Sequence, residues 1–273
     1  LPIFPFAALL QHLSRALYDE YVMENFKERG AAPVAPTPIS IPESTRTLVV
    51  QTDMHQLSAS TLPTHILPIF DYVVERHLPP TAFARLYGTV KAHTFLSPLV
   101  GEKAEKVKDG LPYLVIPLRF ANGEWYGAQF RLLTRKEYIT FRWGHETLRV
   151  FGLNTITPTQ RVYVTEGPLD SLCLPNAIAM CGSDLLGGLD ALEHTGMVVT
   201  DPVLIWDNEP RNAQIVKMLT RAVHERRTVV IWPDGLPKDL NDMYASGVDV
   251  SALIAAHTYQ GLRAELELQR WRK

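Results

Sequence analysis

Val162-Tyr163-Val164-Thr165-Glu166-Gly167-Pro168-Leu169-Asp170 decides how this chain is read. A short β-rich apolar run ends on an acid. Glycine then permits a tight turn, and proline follows where the first residue of a helix would stand and its missing N–H costs nothing. Asp170 falls in the first turn of that helix, near the positive end of its dipole. The pattern recurs downstream. Val203-Leu204-Ile205-Trp206-Asp207 is followed by Asn208-Glu209, and Val229-Val230-Ile231-Trp232-Pro233-Asp234 is followed by Asp239 and Asp242. Between these two runs, residues 212–226 place Ile215, Val216, Leu219, Ala222 and Val223 on one helical face. Apolar strands alternating with amphipathic helices predict a parallel sheet in an α/β domain, whose sites lie at the carboxyl ends of the strands.

Upstream the pattern changes. Tyr113 to Arg119, the turn Ala121-Asn122-Gly123-Glu124, and Trp125 to Arg131 form a hairpin signature, and Tyr138 to Phe141 supplies a third strand of a small antiparallel sheet. Residues 65–87 read as mostly helical. Residues 6–29 carry Leu9, Leu10, Leu13, Leu17, Tyr21 and Val22 at helical spacing, closed by Gly30. Four prolines between Ala31 and Pro42 mark a linker. The tail reads as two helices, 250–257 and 261–272. Leu253, Ile254 and Leu262 form an apolar stripe there, expected more as internal core than as a partner face.

Composition sets limits. Of 273 residues, 46% are apolar and 21% charged, enough to build a sizeable core. No apolar run approaches the roughly 18 residues of a membrane helix, so no membrane partner is expected. The cysteines number two, Cys173 and Cys181, which excludes a disulfide framework and a cysteine zinc site and suits a soluble protein of a reducing compartment. The nine histidines show no metal-ligand spacing. No GxxxxGK[ST] loop occurs, which argues against a P-loop ATPase. Net charge is −2, but residues 45–155 hold 13 basic against 9 acidic side chains and residues 156–273 hold 11 against 15. A basic half suits a polyanion and an acidic half a cation. Several carboxylates at one sheet edge would repel each other, so a magnesium-dependent phosphoryl-transfer site is the natural inference.

Glu166-Gly-Pro-Leu-Asp170, Trp206-Asp-Asn-Glu-Pro-Arg211 and Lys238-Asp-Leu-Asn-Asp242, in that order, resemble the Toprim motifs of DnaG-type primases, on the branch found in T-even bacteriophages. Phe120 to Glu124, Gln129 to Arg131, Tyr138-Ile139, Phe151-Gly152 and Gln260 to Leu262 extend the likeness over roughly the whole chain. The resemblance implies an α/β (overall α+β) architecture. Residues 1–30 form a helical segment, 31–44 a Pro-rich linker, 45–158 a basic subdomain with an antiparallel sheet, 159–245 a Toprim domain with a parallel sheet, and 246–273 C-terminal helices. It also implies RNA primer synthesis on single-stranded DNA from ribonucleoside triphosphates, for lagging-strand replication.

By motif, Glu166 and Asp170 stand as catalytic acids, and Asp207, Glu209 and Asp239 as ligands of Mg²⁺, with Mn²⁺ as the alternative. Arg119, Gln129, Arg131, Lys136, Tyr138, Arg149, Arg211 and Lys238 stand as contacts to nucleotide and template. Lys136 departs from the family pattern, in which lysine directly precedes the tyrosine; here Glu137 does, and strand alternation turns a one-place shift to the other face. The expected partners are template DNA, ribonucleotides, a hexameric replicative helicase of the primosome and a single-strand-binding protein, in the cytoplasm of an infected bacterium. Such primases carry an N-terminal zinc ribbon. The sequence starts at Leu1, reads as trimmed there, and has no cysteines to build that ribbon, so no zinc is expected in this chain. A Toprim nuclease, a topoisomerase fragment and a non-catalytic helicase or DNA adaptor remain as alternatives. The nuclease would not need the basic sheet, and a topoisomerase needs a nucleophilic tyrosine on a large separate domain.

Overall fold

The computed structural model describes residues 53–135, 137–143 and 148–272. The expected helix at 6–29, the proline linker and Lys136 lie outside them.

Two five-stranded sheets organise the chain. The first is wholly antiparallel, in the order β1 (His55–Gln56), β2 (Tyr87–Thr89), β3 (Tyr113–Arg119), β4 (Trp125–Leu132), β5 (Glu137–Arg142). The β3–β4 turn is the one read from Asn122-Gly123. Gly123 adopts φ +88°, a region that penalises a side chain, and its N–H donates to the Phe120 carbonyl. Residues 65–87 contain helix α1 (Leu67–Glu75), a 3-10 segment (Pro80–Arg85) and the start of β2, so less of the stretch is helical than its pattern suggested. Helix α2 (Ala92–Val100) packs Phe95 and Leu96 on one face of the sheet, in a cluster with Tyr113, Val115, Phe130 and Phe141.

The second sheet runs β10 (Thr258–Tyr259), β9 (Thr228–Val230), β8 (Asp201–Ile205), β6 (Arg161–Thr165), β7 (Ala177–Ala179). All its pairs are parallel except β9 with β10. A one-turn helix α3 (Pro168–Ser171) follows β6, and α4 (Leu185–Glu193) follows β7. Helix α5 (Ala213–His224) is capped by Asn212, whose side chain accepts from the N–H groups of Gln214 and Ile215. Its buried face is Ile215, Leu219, Ala222 and Val223. Leu114, Ile116, Leu118 and Tyr126 of the antiparallel sheet share one continuous core with Val162, Val164, Val203 and Leu204 of the parallel sheet.

The tail forms α6 (Leu240–Ala245), α7 (Val250–Ala256) and, after β10, α8 (Gly261–Trp271). The expected apolar stripe is corrected here. Ile254 is buried, but Leu262 is 70% exposed, and α8 packs through Ala264, Leu268 and Trp271 instead. The short strand β10 between the two helices turns α8 away from the register that linear spacing assumed. Among the described residues no helix is long and apolar enough to cross a membrane.

Candidate active site

The parallel sheet and the helices after it deliver four of the acids to one cleft, with Glu209 outside its lining. Glu166 directly follows β6, Asp207 follows β8 by two residues, and Asp239 caps α6, its side chain accepting from the Asp242 N–H. Glu166, Asp170, Asp207 and Asp239 line a cleft of about 280 Å³ together with Arg76, Gln129, Tyr138, Cys181 and Gly182. A Cβ at Gly167 would come within 2.5 Å of Asp170 Oδ2, so a side chain there would push that carboxylate aside. Asp234, at the end of the third apolar run, is exposed and does not line the cleft.

Backbone donors hold the acids in place. The Asp207 N–H donates to Glu166 Oε1 at 3.0 Å and the Asn241 N–H to Asp170 Oδ1 at 2.9 Å. Lys238 Nζ lies 3.2 Å from Glu209 and 3.9 Å from Asp207, which raises the lysine's pKa through that Glu209 contact first. The Trp271 indole of α8 donates to Asn208 Oδ1 at 3.0 Å, so the tail fixes the Asp207–Glu209 loop.

The carboxylates are too crowded to share the cleft fully charged. Burial, then repulsion by Glu166, Asp170 and Asp239, pushes Asp207 up to about 8. Burial and Asp239 push Asp170 up to about 7, and burial raises Glu166 against the pull of the Asp207 N–H. An all-oxygen donor set whose members repel each other until a positive charge joins them fits a hard divalent cation. Burial raises Cys173 and Cys181 to about 12, so neither thiol offers a nucleophile.

The antiparallel sheet forms the facing wall. Gln129 and Arg131 on β4 and Tyr138 and Thr140 on β5 project to the same side. The Arg131 guanidinium is sandwiched, 4.9 Å from the Tyr72 ring centre and 4.5 Å from that of Tyr138. Gln129 Nε2 donates to Thr140 Oγ1. Gln129 Oε1, Arg131 Nε, Arg76 Nε and the Tyr72 hydroxyl are buried without a hydrogen-bond partner. Gln129 and Arg76 line the cleft, and unpaired polar atoms there are what a bound polar ligand would satisfy.

Other candidates read from the sequence fall elsewhere. Arg119 is not in the cleft. It stacks over Tyr87 and Trp125 and donates to the Tyr87 hydroxyl at 3.0 Å, because alternation along β3 turns it to the opposite face from Gln129 and Arg131. Arg149 is exposed, close enough to act on the Cys181 thiol. Arg211 is exposed on the loop after Glu209 and does not line the cleft.

Arg76 carried no sequence signal. It follows α1 and reaches Asp242 at 3.2 Å and Asp239 at 4.0 Å, while its carbonyl accepts from Asn241 Nδ2 at 3.0 Å. Burial lowers its pKa, but Tyr72, Asp239 and Asp242 more than offset this and hold the guanidinium charged. Asp53, His55 and His65 also converge, against the expectation that no histidines cluster.

No protein-family model matches the chain. The chain is 28% identical to the DNA primase of Enterobacteria phage T4 over 280 residues, covering 98% of this chain and 79% of that protein. Its fold is that of primase catalytic cores. It superposes on the RNA polymerase domain of Mycobacterium tuberculosis primase DnaG with a TM-score of 0.57 at 15% identity, over 81% of this chain and 85% of that one. The DnaG primase catalytic domain bound to single-stranded DNA gives 0.53 at 16% identity, over 83% of each chain.

Proposed function

We propose that this chain, a primase-type nucleotidyltransferase by its likeness and fold, synthesises short RNA primers on single-stranded DNA from ribonucleoside triphosphates, as required on a lagging strand. One observation carries the reading: the carboxylates of the parallel sheet and the polar, aromatic wall of the antiparallel sheet face each other across a single cleft. A nuclease needs the first; a polymerase that must hold template, primer end and incoming nucleotide needs both.

In primer extension the 3′-hydroxyl of the growing strand attacks the α-phosphorus of the incoming nucleotide, a P–O bond forms, and pyrophosphate leaves. Asp207, Glu209 and Asp239 would hold Mg²⁺ or Mn²⁺, which when bound neutralises charge on the phosphates and acidifies the attacking hydroxyl. Glu166, half-buried and raised in pKa, is suited to accept the hydroxyl proton. Asp170 supports the wall of acids through the Asn241 N–H. Gln129 Oε1 offers an acceptor to a ribose hydroxyl, and Tyr138, 42% exposed over Arg131, offers a ring for a base to stack on. Arg131, Arg149, Arg211 and Lys238 supply positive charge for phosphates. Lys136 stays a candidate by motif alone.

Residues 45–158 would thus grip nucleic acid and residues 159–245 carry out the chemistry, within a primosome that includes a hexameric helicase and single-strand-binding protein in the host cytoplasm. The test is incubation of the full chain with single-stranded DNA, Mg²⁺ and labelled ribonucleotides, with and without a replicative helicase. Short labelled RNA supports the proposal; DNA cleavage alone, or no product under either condition, overturns it.

A further inference from the structure

Far from the acidic cleft in sequence, three side chains meet at the start of the antiparallel sheet. Asp53 sits just before β1 with φ +52°, a left-handed backbone. His55 lies in β1, paired opposite Gly88, and His65 stands two residues before α1. Asp53 Oδ1 is 2.7 Å from His55 Nε2, and Asp53 Oδ2 is 2.6 Å from His65 Nε2. The ligand atoms of all three lie within 4.8 Å of one another, and the side chains are 24%, 30% and 45% exposed for Asp53, His55 and His65.

We propose that Asp53, His55 and His65 form a binding site for a borderline divalent transition ion of the zinc class, separate from the hard-cation site at the acids. Two imidazole nitrogens and one carboxylate oxygen are a donor set that zinc accepts and magnesium does not. Around a tetrahedral zinc at roughly 2.0–2.2 Å, ligand atoms stand about 3.4 Å apart, so the two hydrogen-bonded pairs must open slightly while any separation near the 4.8 Å limit closes. Small side-chain movements therefore exchange the shared protons for an ion. The exposed side of the triad leaves room for water in the fourth position. Burial raises the Asp53 carboxyl, but the hydrogen bonds from His55 and His65 and their charge more than offset it, so a carboxylate is ready to ligate.

The location gives the site a structural consequence. The Leu57 N–H donates to the Leu86 carbonyl where β1 joins the sheet, and His65 stands at the foot of α1, whose far end presents Arg76 to Asp239 and Asp242. An ion here clips the entry strand to the helix that supports the acidic cleft. Binding to the folded state alone would stabilise it by mass action.

The proposal does not depend on primer synthesis and is tested without it. The full chain, stripped with chelator and held in excess Mg²⁺ to occupy the acidic cleft, is titrated with Zn²⁺ by calorimetry, with Co²⁺ as an absorbance probe of nitrogen coordination, alongside thermal melting. The expected result is a single Zn²⁺ equivalent that raises Tm. Asp53→Asn, His55→Gln and His65→Gln should each weaken it about tenfold or more, and Asp207→Asn should leave it in place. All three triad side chains are partly exposed, so circular dichroism should find these variants folded. Absence of Zn²⁺ binding would mean a hydrogen-bonded triad only and overturn the proposal. So would binding that survives His55→Gln with His65→Gln, or that is lost in Asp207→Asn.

Discussion

The two sheets place polar chemistry in opposite ways. In the parallel sheet the inner residues of β6, β8 and β9 are apolar and mostly buried, and every candidate acid lies beyond a strand end. In the antiparallel sheet, Gln129, Arg131 and Tyr138 are strand residues, pointing from one face while Phe130 and Phe141 fill the other. A sheet whose strand interiors are buried works from its edge; a sheet with polar side chains on one face works from that face. On the proposed function, bond formation falls to the first and grip to the second.

The largest effect is expected at the edge. Asp207→Asn removes a charged ligand and should reduce primer synthesis by about 100-fold or more, read as labelled primer at limiting Mg²⁺. The same change relieves repulsion in the cleft, so the metal-free protein should melt no lower than the parent at pH 8. Normal primer yield from this variant would remove the acids from the mechanism.

A smaller effect is expected from the open face. Arg131→Ala takes the cation from between Tyr72 and Tyr138 and should weaken binding of single-stranded DNA or nucleotide by about tenfold. It should also flatten the salt dependence by about 0.7 of a counterion, the single-strand value for one phosphate. Titrations at several salt concentrations measure both.

The acids should also appear in the pH dependence of stability. A carboxyl whose pKa is raised on folding binds a proton in the native chain that the unfolded chain has already released. For Asp207, displaced from 3.8 to about 8, and Asp170, displaced to about 7, metal-free stability therefore falls as pH rises through that window. Tm in chelator should drop between pH 5 and pH 8, by about 2–4 °C for each kcal/mol lost, and Mg²⁺ should reduce the drop. A flat profile in chelator would mean that neither burial nor mutual repulsion raises these acids.

The smallest effect is expected at Trp271. Trp271→Phe keeps most of the buried ring but leaves Asn208 Oδ1 without its donor, costing about 1 kcal/mol. Thermal melting should show a loss of a few degrees, with primer yield little changed. If Tm does not move, the tail does not brace the Asp207–Glu209 loop.

Much of the edge was legible because its signals are local. An apolar run, an acid and a glycine-proline turn at Glu166–Pro168 stand together in sequence, as do Asp207 and Glu209. Helix α5 declared itself through twelve residues of clear period. The strands that escaped, β1, β2, β7 and β10, are two or three residues long, too short for any period to show. Arg76 escaped for another reason: its partner Asp242 lies 166 residues away, and only the docking of α1 brings them together. The ten-residue gap between His55 and His65 conceals their meeting in the same way. Arg119 was misplaced because composition names a basic strand without saying which face each charge takes, and the irregularity between Leu118 and Arg119 occurs where that choice is made.

The measurement that bears most directly on the division between the sheets pairs Arg131→Ala with Glu166→Gln. Each is scored for single-stranded DNA affinity across salt and for the rate of bond formation at saturating template and nucleotide. Glu166→Gln should bind template like the parent and fail at bond formation, while Arg131→Ala should bind weakly and recover most of the rate once saturated. If Glu166→Gln loses template affinity as Arg131→Ala does, or if Arg131→Ala binds like the parent at every salt, the two sheets do not divide the work between chemistry and grip.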